Sequence, residues 1–400
     1  MKRGYKTIVS VLCISLLSGC WNRRELNELA VSVAIGVDKA GDQILISNQV
    51  LNTGAIAGQK AGAATAPVTV FQEKGDAFQE TARKMTLKST RKIYVGQMQM
   101  LIFGEEFARD GLGKVLDHIS RDHEYRKDIS VVIARGVKAE EIIKVLTPLE
   151  KIPATKMKVT LESSARAWGS TAQVTFEQLL SDVISRGKEP VVTAITLTGN
   201  PEKGNENSNV QKIEPSAQLV YNGLGVFKKD KLLGWLNEEN SIGYNFTQGN
   251  IKSTSIRIPC LKKKKEYVTV ELLHTINKTK VSMENGIPVI KLQIKSDGAV
   301  TEAQCAADLT KPQVISELEN LTNRRIKSMI SSSVQTVQSR YKSDIFGFGD
   351  DIARKYPKYW GEVKKNWDEP FSKLQVNIDV NINIRRIFKT TRSVEERMGD

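Results

Sequence analysis

The sequence predicts an α+β protein of more than one domain: mixed α/β first, then a C-terminal antiparallel sheet packed with a long amphipathic helix. Three observations predict it. From Val31 to Asp38 large apolar residues alternate with small ones, the two-residue period of a strand. From Leu374 to Ile384 apolar residues alternate with Gln375, Asn377, Asp379, Asn381 and Asn383, a strand with one buried and one wet face. Between them, Pro312 opens a stretch whose apolar residues (Val314, Leu318, Leu321, Ile326, Ile330, Val334, Val337, Tyr341) fall three or four apart, a long helix with one apolar stripe.

The chain begins with Lys2, Arg3 and Lys6, an apolar run from Ile8 to Leu17, and Leu17-Ser18-Gly19-Cys20. A charged start, a short apolar core and small residues before a cleavage point make an export signal. The run is too short to span a bilayer, which takes roughly 20 apolar residues. Leu-Ser-Gly-Cys resembles the lipobox of bacterial lipoproteins, which implies that residues 1–19 are a signal peptide and that Cys20 carries diacylglycerol. The blander alternative is an ordinary signal peptide with an incidental cysteine.

After the Val31–Asp38 strand, Ala40-Gly41-Asp42 marks a turn into a second strand over Gln43–Leu51. The small residues of the first strand predict close packing on its second face. Thr53–Ala66, rich in Gly and Ala, reads as a loop, and from Glu73 the pattern turns helical, with Phe78, Ala82 and Met85 on one face. Gln97–Phe103 reads as a strand, and Phe107, Leu112, Leu116 and Ile119 as one helix. A strand over Ile129–Ala134 precedes helices near Ala139–Val145, Lys158–Trp168 and Phe176–Ser185, and a strand over Val191–Leu197. Residues 20–198 thus form an N-terminal α+β region, with room for two subdomains. Gly199 to Asn209 holds no apolar side chain, so 199–216 reads as a polar linker and 217–400 as a C-terminal α+β domain. There Gln218–Phe227, Lys228–Leu236, Ile251–Ile258, Tyr267–Ile276 and Pro288–Ile294 read as strands, and Asn285-Gly286 signals a hairpin.

The formal charge is +14, and losing the leader would leave 56 Lys plus Arg against 45 Asp plus Glu. For an exported chain this favours lipid head groups, anionic wall polymer or an acidic partner over nucleic acid. Lys262–Lys265 is the densest basic run, read as a solvated sheet edge or an anionic-lipid contact. Beyond Cys13 and Cys20, Cys260 and Cys305 remain; a disulfide and two separate buried thiols both fit the sequence.

Nothing points to an enzyme, a metal or a cofactor. His118 and His123, five apart, do not share a helical face as zinc-binding pairs do, and only His274 stands elsewhere. Ser89-x-x-Lys92 and Ser339-x-x-Lys342 match a loose nucleophile pattern without its companion motifs, and no nucleophile elbow or phosphate-binding loop occurs.

Two segments carry a family resemblance. Gly19-Cys20-Trp21-Asn22-Arg23-Arg24-Glu25-Leu26, followed by Ala34-Ile35-Gly36-Val37-Asp38, resembles the start of Ger(x)C lipoproteins, the C subunits of spore germinant receptors. Asp344-Ile345-Phe346-Gly347-Phe348-Gly349, with Trp360 and Trp367 after it, resembles an element that follows the long helix in that family. The resemblance implies a non-enzymatic, three-domain lipoprotein on the outer face of the spore inner membrane. It would act with A and B subunits, polytopic membrane proteins, to start germination in response to small nutrients. A lipid-anchored solute-binding protein of a nutrient importer is the alternative. Trp21, Arg24, Glu25, Asp344, Gly347, Trp360 and Trp367 are the candidate motif residues, partner-facing or structural. Trp360, Val363, Trp367 and Phe371 read as one helical face turned to the core.

Overall fold

The computed structural model describes residues 28–57, 65–260, 265–305 and 308–387. Cys20, Trp21, Arg24, Glu25 and Lys262–Lys264 lie outside these.

The N-terminal half is built on one nine-stranded sheet. Its strands are β1 (Leu29–Ala40), β2 (Gln43–Leu51), β3 (Val68–Gly75), β4 (Lys92–Tyr94), β5 (Met100–Gly104), β6 (Ser130–Ala134), β7 (Val191–Gly199), β8 (Ala217–Lys228) and β9 (Lys231–Leu236). The order is β3-β2-β1-β5-β6-β7-β8-β9, with β4 pairing the start of β1. β1, β5, β6 and β7 run parallel, and antiparallel pairs flank them. A central parallel core is covered on both faces, which is why β5 and β6 are buried throughout.

Between these strands lie α1 (Thr53–Ala57), α2 (Phe78–Lys84), α3 (Glu105–Asp110), α4 (Gly113–Arg121), α5 (Ala139–Lys144), α6 (Pro153–Ala167), α7 (Phe176–Ile184), α8 (Pro201–Gly204) and α9 (Ser208–Gln211). α2, α4 and α7 pack with Ile35, Val37, Leu101 and Phe103 on one face. α5 and α6 pack with Ala34, Met100, Ile102 and Ala134 on the other. The small residues of β1 do admit a close neighbour: a Cβ on Gly36 would stand 2.8 Å from Ile143 Cδ1 of α5.

The C-terminal half adds α10 (Glu238–Gln248), β10 (Ser253–Pro259), β11 (Tyr267–Glu284), β12 (Ile287–Ala303), α11 (Pro312–Thr336) with a π-helical turn to Tyr341, α12 (Phe348–Lys355), α13 (Pro357–Val363), α14 (Asp368–Ser372) and β13 (Gln375–Ile387). Its sheet has the order β10-β11-β12-β13. α11 covers it, burying Leu318, Ile326, Ile330 and Val334 as the spacing predicts. Three strands are antiparallel, but β13 lies parallel to β12. A parallel neighbour needs a long crossover, and residues 304–374 with α11 supply it. The outer N–H groups of Ile382 and Ile384 donate to Asn323 Oδ1 and Glu319 Oε1 of α11, each at 2.8 Å, so the helix closes that part of the sheet edge. Sulfurs of Cys260 and Cys305 are bonded, joining the end of β10 to the end of β12.

Several sequence expectations change. The polar stretch 199–216 connects two adjacent strands of one sheet, since β7 and β8 pair from Gly199↔Ala217 onward. Asn209 there is buried; its amide donates to Leu146 O and Ala217 O and accepts from Ala217 N, satisfying a polar side chain inside. β8 and β9, placed by sequence with the second unit, therefore complete the first sheet. β3 runs through Glu73 to Gly75 where a helix was expected, because its side chains are half-exposed at the sheet edge and mask the alternation. The 107–119 helix is two helices, broken where Leu112 N and Gly113 N donate to the main-chain O and Oδ2 of distant Asp230. α10 was not foreseen: its polar residues Asn240, Ser241, Asn245 and Thr247 are buried, so no apolar period marks it.

Candidate functional site

The resemblance motifs converge on one place. After α11 and its π turn, Lys342 adopts φ 49° and the chain enters Ser343-Asp344-Ile345-Phe346-Gly347. Asp344 is buried at 1% exposure. Its Oδ1 accepts from the backbone N–H of Phe346 (3.2 Å), Gly347 (3.0 Å) and Phe348 (3.3 Å). Its Oδ2 accepts from Gly349 N–H (2.8 Å) and the Trp367 indole Nε1–H (2.9 Å). Five donors and no acceptor make this the environment of a carboxylate held in a backbone nest at the start of α12. Burial nevertheless pushes the carboxyl up to about 7, against the pull of those donors. Gly347 at φ 79° makes the turn that aims the N–H groups inward.

This loop docks onto the N-terminal half. Glu189 N–H donates to Asp344 O at 2.8 Å, and Ser343 Oγ donates to Phe227 O at 2.5 Å. Gly187 and Gly349 meet so closely that a Cβ on Gly187 would lie 2.4 Å from Asp350 N. Beside them the buried Glu189 carboxylate accepts from Lys229 N–H (2.6 Å) and pairs with Lys228 (3.0 Å), which also pairs with Asp368 of α14. Burial works against the Lys228 ammonium, but the two carboxylates outweigh it and hold its pKa above the usual value. Phe346 and Phe348 stack at 5.1 Å and Phe371 tilts against Phe346 at 6.5 Å, filling the space beneath.

Trp367 and Phe371 are buried, whereas Trp360 and Val363 are half-buried. They do not share one helix. The chain breaks between α13 and α14, and the break lets Trp367 turn its N–H to Asp344 while Trp360 meets it edge-on at 5.3 Å. Sequence reasoning singled out Asp344, Gly347, Trp360 and Trp367 but missed Gly187, Glu189 and Lys228. Their only local signal was a charged pair around a strand, which is common.

A second motif residue behaves alike. Asp38, at the end of Ala34-Ile35-Gly36-Val37-Asp38, has its carboxylate on the first turn of α5, accepting from Ala139 N (2.8 Å) and Glu140 N (2.9 Å). Burial raises its pKa, and the two N–H groups oppose this. It borders a cleft of about 410 Å³ with Glu105, Arg109 and Lys138, at the carboxyl ends of β1, β5 and β6 where α3 and α5 leave to opposite faces. Its charges are taken up internally: Arg109 pairs with Glu105 at 2.6 Å and Lys39 with Asp110 at 2.5 Å.

The other candidates are dispersed. His118 packs on Phe78 at 5.0 Å, while the His123 side chain is 94% exposed. Ser89 Oγ donates to Arg91 O and Ser339 Oγ to Gln335 O, each a local backbone contact away from its lysine partner.

A two-sheet protein whose motif aspartates organise backbone, Asp38 beside a cleft of the N-terminal half and Asp344 where the halves meet, is the class that fold and site define. Residues 22–197 match the spore germination protein N-terminal domain, and residues 222–387 match Spore germination B3/GerAC like, C-terminal. Spore germination protein KC of Bacillus subtilis (strain 168) is 30% identical over 98% of both chains. Spore germination protein B3 of the same strain is 24% identical over 96% of this chain and 98% of that one. A solved structure, the crystal structure of the GerBC protein, superposes with a TM-score of 0.53 at 20% identity, covering 88% of this chain and 97% of that one. The chain belongs to the GerAC-like family of spore germination proteins. No helix among the described residues is long and apolar enough to cross a membrane.

Proposed function

We propose that this chain is the lipid-anchored C subunit of a nutrient germinant receptor. It would be held by diacylglycerol on Cys20 at the outer face of the spore inner membrane, and needed with A and B subunits to start germination. The likeness to spore germination protein KC along nearly the whole of both chains is what carries this reading. Leu17-Ser18-Gly19-Cys20 supports the anchor, which keeps the body at high local concentration beside membrane partners. The body acts by assembly rather than chemistry, consistent with motif residues turned inward on backbone N–H groups. The solute-binding alternative calls for two doubly wound lobes, whereas the structure has one such sheet and a second of four mostly antiparallel strands.

Replacing Cys20→Ala should release the chain from spore membranes or lower its level, and blunt the nutrient response. Mass analysis of the wild-type N-terminus should find acyl groups on Cys20, and affinity capture from spore membranes should co-purify a polytopic protein and an A-type subunit. A mature chain without acyl mass, or captured alone, would remove this reading.

A further inference from the structure

We infer that the turn at residues 83–91 rests on the bilayer and contacts anionic phospholipid head groups, fixing how the body sits on the membrane. This orientation rests on the lipid-anchor reading. The stretch Arg83-Lys84-Met85-Thr86-Leu87-Lys88-Ser89-Thr90-Arg91-Lys92 contains five cations and no acidic residue. It leaves α2 through a 3₁₀ turn, Met85–Leu87, in which Met85 is fully buried and pins the turn to the core. Leu87 at the tip is 86% exposed, with Lys84, Lys88 and Arg91 also exposed around it. An exposed leucine ringed by cations suits an interface that offers both phosphate and acyl chain. Lys84, Lys88 and Lys92 have acidic partners in Glu80, Glu73 and Glu124. Arg83 and Arg91 form no ion pair among the described residues, so their charge is free for an outside anion.

Topology brings the last cations of this stretch to the end of the sheet that leads to the anchor. The residue after Arg91 begins β4, which pairs Lys92 with Leu29, Ile93 with Ala30 and Tyr94 with Val31 at the very start of β1. Covalent geometry limits the stretch from Cys20 to Glu28 to about 29 Å. Arg91 and Lys92 thus stand at the end of the sheet that leads to the anchored segment, and the turn runs from there along the sheet, the Lys88 ammonium reaching Gln72 O and Glu73, which pair through β2 with Gly36 and Val37.

The test places a fluorophore on the full-length acylated chain through Leu87→Cys. With Cys20 acylated and Cys260 bonded to Cys305, that thiol is the free one in the mature chain. The chain is reconstituted in phosphatidylcholine vesicles with and without phosphatidylglycerol, carrying quencher-labelled lipids. A control label is placed through Ile213→Cys, exposed in the stretch between β7 and β8 at the carboxyl ends of the parallel strands, opposite the start of β1. The label at 87 should be quenched in phosphatidylglycerol vesicles and that at 213 should not. Adding Arg83→Gln or Arg91→Gln should lower the ratio of inserted to free turn about five-fold each. No quenching at 87, equal quenching at 213, or indifference to both arginines would overturn the inference. So would burial of the label only on adding purified membrane-protein partners without lipid, which would assign the turn to a protein interface. Acylation is read separately by mass, so a failed anchor and a failed contact remain distinguishable.

Discussion

Asp38 and Asp344 take the same role in the two halves and differ in how completely they are enclosed. Each carboxylate fills a set of backbone N–H groups at the start of a short helix. Asp38 receives two N–H bonds and borders an open cleft, whereas Asp344 receives five donors and has no route to water. Removing the first exposes two donors that water in the cleft can satisfy. Removing the second strands five donors inside the protein. What a buried charge is worth depends on what is left behind when it goes.

The largest effect follows directly. Asp344→Ala should cost on the order of 5 kcal/mol in urea unfolding, from several orphaned donors at about 1–3 kcal/mol each. Asp38→Ala should cost about 1 kcal/mol, the ordinary value of a helix cap. Equal losses would break the comparison. Next is pH. Burial pushes the Asp344 carboxyl up to about 7, against 3.8 for an ordinary aspartate. A pKa raised by folding means that the folded chain holds this proton more tightly than the unfolded chain does, so the stabilisation linked to it is complete below about pH 4 and is lost as pH rises through about 7. Urea midpoints should fall between pH 5.5 and pH 8 in the wild-type chain, and the fall should be smaller in Asp344→Asn, which has no carboxyl to titrate. A steeper fall in the variant would contradict the sign.

A smaller loss, roughly 2–3 kcal/mol, should follow Gly187→Ala, whose Cβ would force the two halves apart at Asp350 N. Proteolysis should then cut between halves that are resistant in the wild-type chain. Trp367→Phe keeps the ring packing and removes one donor to Asp344, so it should cost only about 1–2 kcal/mol. If it cost as much as Asp344→Ala, the indole rather than the backbone nest would dominate the site.

How much of this was legible depends on whether the cause was local. β1, β13 and α11 could be read because their apolar period persists over eight or more residues against one continuous core. The edge strand β3, with Gln72, Glu73 and Lys74 half-exposed or exposed, offers no such contrast. α10 hides its burial behind Asn and Ser whose hydrogen bonds come from elsewhere, as with Asn245 donating to Gly169 O and Thr171 O. The break before α4 depends on Asp230, more than a hundred residues away. At the site, resemblance marked Asp344 and the tryptophans, but only the folded chain shows that Gly187 and Glu189 come to meet them.

The sharing of β8 and β9 sets a limit on how this protein could arise or be taken apart. The C-terminal family match begins at Asn222, yet strands from that side of the match finish the sheet laid down by the first. Severing the molecule in the polar stretch before Ala217 would leave β7 with a raw hydrogen-bonding margin and strip the other fragment's two leading strands of their support. Such fragments would tend to stick to one another or to strangers rather than behave as independent building blocks. Swapping this portion between related chains should therefore succeed only when the donor brings its own matching margin.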